Sequence, residues 1–130
     1  MAQVSITSTT IDFAHQIDSA SGHRVVSDEP ESLGGRNAGM APFELYLAAL
    51  ASCTAITLRM YAQKKGWELG QFHAELTSRR EADGQLLVHR TLHADGPLDD
   101  KQWARLLDVV ERTPVTLVMK QGATILSARG

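Results

Sequence analysis

The sequence predicts one α+β domain, and three observations lead there. Apolar and polar residues alternate at the start of the chain and again past its middle, the mark of half-buried strands. Between these stretches lies a long segment that is apolar or small on nearly every side, which reads as a buried helix. Strands and helices then fall in blocks instead of alternating strictly, which favours α+β over a doubly wound sheet. A chain of 130 residues suits a single domain spanning 1–130.

The elements come in this order. Val4, Ile6 and Ser8 alternate with Ser5 and Thr7, and residues 11–14 (Ile-Asp-Phe-Ala) continue the pattern. Residues 19–22 (Ser-Ala-Ser-Gly) signal a turn, and 23–27 read as a short returning strand. From 28 to 41, Glu29, Pro30, Glu31, Ser32, Gly34, Gly35, Asn37 and Gly39 are poor choices for helix or strand interiors, so the segment reads as a long loop of the kind that often carries function.

Pro42 suits the first position of a helix, where its missing N–H costs nothing. Glu44 in the first turn complements the helix dipole. Lys64, Lys65 and Gly66 form a stop signal. Roughly 25 residues at about 1.5 Å each give a rod about 37 Å long. One chain of this size can scarcely surround such a rod, so a second subunit is expected to cover part of it.

Strands resume where Phe72, Ala74 and Leu76 alternate with His73, Glu75 and Thr77. Asp83-Gly84 centres a hairpin turn. The partner strand, 86–94, sets Leu86, Val88 and Leu92 on one face. After Pro97, Asp99 and Gln102 have the spacing of a capping box. Trp103, Leu106, Leu107 and Val110 then make one helical stripe. Thr113-Pro114 breaks that helix. A short helix comes next, stopped by Gly122, and residues 123–127 are expected to close the chain as a strand.

Composition excludes several classes of function. The net charge is −2 and the pI near 6.2, with basic residues scattered, which argues against nucleic acid or an anionic membrane as partner. The longest uncharged stretch, 45–58, is shorter than the about 20 residues of a membrane span. The single cysteine permits no internal disulfide and fits a reducing, cytoplasmic setting. Residues 1–5 (Met-Ala-Gln-Val-Ser) show no basic region followed by an apolar run, so no secretory signal is expected. His89 and His93 could share a strand face but would stand about 13 Å apart. His15, His23 and His73 complete no metal spacing, so no metal is expected. Gly34, Gly35 and Gly39 lack the lysine of a phosphate loop, so nucleotide binding is not expected, and with no metal or nucleotide motif no cofactor is expected either.

The residue with chemistry to offer is Cys53, in the middle of the long helix. At about 100° per residue, Tyr46, Ala49, Leu50, Ile56, Thr57 and Met60 share its face, which is apolar with two hydroxyls. A buried structural thiol is the competing reading. A mid-helix cysteine gains nothing from a helix N-terminus, so a reactive thiolate needs a neighbouring cation. Arg24 and Arg36 are the candidates, against the plainer reading of each as a solvated charge. Glu44 lies about half a turn round the helix from Cys53 and serves first as a dipole partner.

The segments GGRNAGMAPFELYLAALASCTAITL and TPVTLVMKQGATI, with the order of elements around them, resemble the OsmC/Ohr family. The resemblance implies an intertwined homodimer with the central helices packed inside and two active sites at the subunit interface. Cys53 matches the reactive cysteine of the family's peroxidases, whose thiolate is oxidised to a sulfenic acid. The place of their second cysteine is taken by Thr113. The place of their glutamate is taken by Phe43, with Glu44 one residue later. Their arginine falls near Ala20 or Ser21, with Arg24 a few residues on. The pattern is closest to the less characterised branch of the family.

The function implied by this resemblance is that of a thiol-dependent hydroperoxide reductase with one cysteine. Cys53, Glu44 and Arg24 would be its catalytic residues. Phe43, Tyr46, Leu50, Thr57 and Thr113 would line its pocket, and an external thiol would be its reductant. The alternatives are a non-catalytic dimer that binds a small apolar molecule between subunits and a structural stress protein without a ligand.

Overall fold

The structure, a computed structural model, describes residues 1–130. Three strands, one long helix, a β-hairpin and two further helices succeed one another, in agreement with the α+β reading. The chain divides into two units, Met1–Tyr46 and Leu47–Gly130.

In the first unit, β1 (Val4–Ser8), β2 (His15–Ser19) and β3 (Arg24–Ser27) form an antiparallel sheet in that order. Ile6 faces Ile17, and Ile17 faces Val25. Alternation predicts that residues 11–14 extend the first strand, but they form a turn. The Thr9 hydroxyl accepts from Ile11 N at 3.2 Å and donates to the Ala14 carbonyl at 2.7 Å, a local bonding pattern that competes with strand pairing. The second strand therefore starts later, at His15.

The loop 28–41 is organised by one carboxylate. Asp28, 2% exposed, accepts from the amides of Glu29 at 2.8 Å, Arg36 at 3.1 Å and Ala38 at 3.1 Å. The Ala38 amide, helped by those of Glu29 and Arg36, holds its carboxyl below the ordinary value against the opposing effect of desolvation. Two glycines are demanded by close approach. A Cβ at Gly35 would strike the Glu29 carbonyl, and one at Gly39 the Val26 carbonyl.

Helix α1 (Pro42–Lys65) begins in this unit and continues into the next. Glu44 Oε1 accepts from Ala41 N at 2.9 Å, and Gly66 leaves the helix at φ 72°, in keeping with the start and stop signals. The sequence predicts burial on several sides. Within the chain only one stripe is buried: Leu50, Thr54, Leu58 and Ala62. Ile56 is 53% and Met60 65% exposed, because one chain supplies packing partners to a single face. In length and apolarity α1 would pass for a membrane span, yet its buried stripe belongs to a protein core.

That core lies in the second unit. Leu58, Ala62, Leu69, Leu106 and Val110 form it, with Tyr61, Trp67, Phe72, Leu92 and Trp103 packed against it. Strands β4 (Phe72–Arg80) and β5 (Leu86–Ala94) make the predicted hairpin. Helix α2 (Asp100–Val110) starts at a complete capping box, with Asp99 and Gln102 exchanging two 2.8 Å bonds. Leu106 and Val110 carry its packing, whereas Leu107 is 51% exposed, so the stripe is narrower than the sequence predicts. Helix α3 (Pro114–Gln121) comes next. Residues 123–127, predicted as a closing strand, form no ladder. Ile125 and Leu126 are 84% and 90% exposed, since no strand of the chain stands beside them to supply hydrogen bonds.

Candidate active site

Cys53 sits near the middle of α1, partly exposed and unpaired. Its Sγ lies 3.9 Å from Thr57 Oγ1, one helical turn on, as the helical period predicts. Leu50, on the same face, is buried at 6% exposure.

The adjoining residue, Thr54, points into the protein and is fully buried. Its hydroxyl donates to the Leu50 carbonyl at 2.7 Å and accepts from Arg90 Nη1 at 2.9 Å. The same Nη1 donates to Thr116 Oγ1 at 3.0 Å, and Nη2 donates to the Val110 carbonyl at 3.0 Å. Thr116 in turn shares a 2.6 Å bond with Thr113. A continuous polar chain thus runs Thr113–Thr116–Arg90–Thr54 through an otherwise apolar region and ends beside Cys53. No buried side-chain polar atom of the protein lacks a partner, and the buried hydroxyls satisfy one another and the guanidinium, as burial requires.

Arg90 takes part in none of the ion pairs of the chain. Every group it is bonded to is neutral. Burial pushes the guanidinium below its ordinary value, while the charges of Glu111 and Cys53 act in the opposite sense. Arginine remains a cation under such a shift, so the site holds a fixed positive charge.

Thr113 is 2% exposed at the N-cap of α3. Its hydroxyl is spent on Thr116, not on capping the helix. This explains why a hydroxyl is tolerated in a buried position.

The remaining predicted site residues belong to the first unit. Arg24, on β3, is engaged by Asp18 at 2.6 Å, which holds the guanidinium above its ordinary value. Both partners are exposed, and such a pair contributes little. A surface depression beside it is lined by Asp18, Ser19, Gly22, His23 and Arg24, the exposed end of a hairpin without a thiol. The Glu44 carboxylate receives the Ala41 amide. Phe43, 51% exposed, packs edge-on against Tyr46 at a ring distance of 6.1 Å.

Sequence reasoning misses Arg90, Thr54 and Thr116. A signal for Arg90 is present. On β5, Leu86, Val88 and Leu92 define the inward face, and position 90 belongs to the same alternation. An arginine at an inward strand position needs buried partners, which points to a cation inside the fold.

Comparison with known proteins gives this arrangement a context. The model of the OsmC-like protein family matches residues 34–127. No curated protein sequence matches the chain. Among solved structures, a Psychrobacter arcticus protein attributed to the osmotic stress and detoxification response superposes with a TM-score of 0.79 at 22% identity, covering 90% of this chain and 87% of the other. An organic hydroperoxide resistance protein OsmC from Legionella pneumophila gives 0.66 at 17%, covering 92% and 89%. The organic hydroperoxide resistance protein OhrB of Bacillus subtilis gives 0.63 at 20%, covering 92% and 90%. At these identities the structural likenesses establish the fold.

Proposed function

Because the chain belongs to the OsmC-like protein family, we propose that it is a cytoplasmic, thiol-dependent organic hydroperoxide reductase that works through Cys53 alone. The observation that carries this reading is the placement of Cys53: a partly exposed, unpaired thiol at mid-helix, with the Thr57 hydroxyl one turn on and the Arg90-bound Thr54 next to it in sequence.

The chemistry rests on one sulfur. The Cys53 thiolate attacks the outer oxygen of a hydroperoxide. An S–O bond forms, the O–O bond breaks, and the alkoxide leaves as an alcohol after taking a proton. Sulfur is oxidised by two electrons to the sulfenic acid, and the peroxide is reduced by two. With Thr113 where a second cysteine would resolve this product, an external thiol does so. One thiol displaces water to give a mixed disulfide. A second thiol, or the other arm of a dithiol, releases Cys53 and leaves as the oxidised disulfide. No step of this cycle calls for a metal or other cofactor.

Glu44, Arg24, Phe43 and Tyr46 enter the reading as site residues through an intertwined homodimer. Support for the dimer comes from the apolar residues that α1 leaves exposed, Ile56 and Met60 among them. A dimer that only binds a small apolar molecule is the second reading, favoured by Phe43 and Thr113 where peroxidases of the family have a glutamate and a cysteine. Hydroperoxide consumption with dithiothreitol or dihydrolipoamide separates the two. Loss of consumption in Cys53→Ser supports the reductase; no consumption by either protein leaves the binding dimer.

A further inference from the structure

We propose that Arg90 is the positioning residue of the Cys53 site, a tethered guanidinium that supplies the positive charge facing the thiolate and the sulfenate formed from it. This rests on the reading of Cys53 as the nucleophile and names the cation which that reading requires.

Three observations support the assignment. Nη1 is fixed by Thr54 and Thr116 at 2.9 and 3.0 Å and Nη2 by the Val110 carbonyl at 3.0 Å, so a long flexible side chain is held in one place by α1, α2 and α3 together. One anchor, Thr54, is bonded in sequence to Cys53 itself. All three acceptors are neutral, so the charge of Arg90 is not cancelled where it is held. A guanidinium neutralised by a carboxylate, as Arg24 is by Asp18 and Arg112 by Asp108, has little charge left for a thiolate. Arg90 keeps its charge in a partly desolvated setting, where a charge acts more strongly than in water.

Few other charges surround the group. From α1 it is Cys53. From the end of α2 it is Glu111, which Lys120 of α3 holds at 2.7 Å and thereby partly neutralises. The groups it is bonded to, Thr54, Thr116 and the Val110 carbonyl, do not titrate in the ordinary range, and across the strand pair it stands opposite the apolar Leu76.

The test is the pH profile of Cys53 alkylation by iodoacetamide in the full chain, compared among wild type, Arg90→Met and Arg90→Lys. Reactivity tracks the thiolate, so loss of the charge should move the rising limb of the Arg90→Met profile to higher pH and slow alkylation near neutrality by roughly tenfold. Arg90→Lys, which keeps a charge without the fork, should recover part of the rate. An unchanged Arg90→Met profile overturns the proposal. If that variant does not fold, Thr54→Val removes one tether with nearly the same volume. A shift in the same direction supports the proposal, and an unmoved profile overturns it. Hydroperoxide consumption keeps the two readings apart. A shifted profile in a protein that consumes no peroxide leaves Arg90 in place and removes the reductase. An unshifted profile in a protein that does consume it removes Arg90 alone.

Discussion

The guanidinium of Arg90 donates to the hydroxyl of Thr54 at 2.9 Å, tying the middle of β5 to the helical turn that carries Cys53. The two residues stand 36 positions apart in the chain, and the bond joins the site to the core of its unit. Removing either partner leaves a buried polar group without its mate. The same holds for Thr116, the second anchor of Nη1. Thr116→Val should therefore destabilise the protein by about 1–3 kcal/mol, read as a lowered denaturant midpoint at constant slope. An unchanged midpoint would mean that the network contributes nothing to the fold.

Thr113 offers a test of the site's architecture. It is linked to Arg90 through Thr116, and by family resemblance it stands where a resolving cysteine would be. In Thr113→Cys, one equivalent of organic hydroperoxide should produce a disulfide between positions 53 and 113, seen as two thiols lost together and a single cross-linked peptide. Persistence of a free thiol at 113 beside an oxidised Cys53 would show that the two positions do not meet.

Asp28 governs a pH dependence. Its carboxyl is held below the ordinary value by the amides of Ala38, Glu29 and Arg36. A lowered folded-state value means that ionised Asp28 stabilises the fold fully above its unfolded value of about 3.9. That contribution is lost as pH falls through the lower folded value. Asp28→Asn should lower stability at neutral pH and flatten its decline below about pH 4, measured by urea midpoints across that range. Parallel acid limbs in both proteins would contradict this origin.

At the start of α2, Asp99→Ala removes half of a capping box. The expected cost is about 1 kcal/mol, or a melting temperature lower by about 4 °C in a chain of this size. Cys53 reactivity should be unaffected. A variant as stable as wild type would show that the cap's two bonds are replaced by water without loss.

The exposed side of α1 predicts association. Sedimentation should give twice the chain mass at micromolar concentration, and Ile56→Glu should shift the protein toward the single chain. A monomeric wild type would remove the homodimer and with it the interface site.

Much of this fold is legible in the residues. Pro42, Glu44, Lys64, Lys65 and Gly66 mark the ends of α1, and Asp99 and Gln102 mark the start of α2, because caps and dipole partners act within one turn. Asp83-Gly84 marks the hairpin for the same reason. Longer-range effects decide the rest. Residues 11–14 alternate like a strand, but the Thr9 hydroxyl turns them aside. Residues 123–127 have strand composition but no neighbouring strand in the chain. Cys53 stands out as a unique thiol, and its cation does not, since family position favours Arg24 instead. Arg90 approaches through a strand pairing that only the three-dimensional register fixes. Its inward place among Leu86, Val88 and Leu92 is visible in the sequence, but not what it meets there.

Whether Cys53 is a peroxide-reactive thiol is tested most directly by intact mass spectrometry of the protein after one equivalent of cumene hydroperoxide. The predicted result is the gain of one oxygen at Cys53, trapped by dimedone, reversed by dithiothreitol and absent from Cys53→Ser. An unmodified thiol beside undiminished peroxide would contradict it.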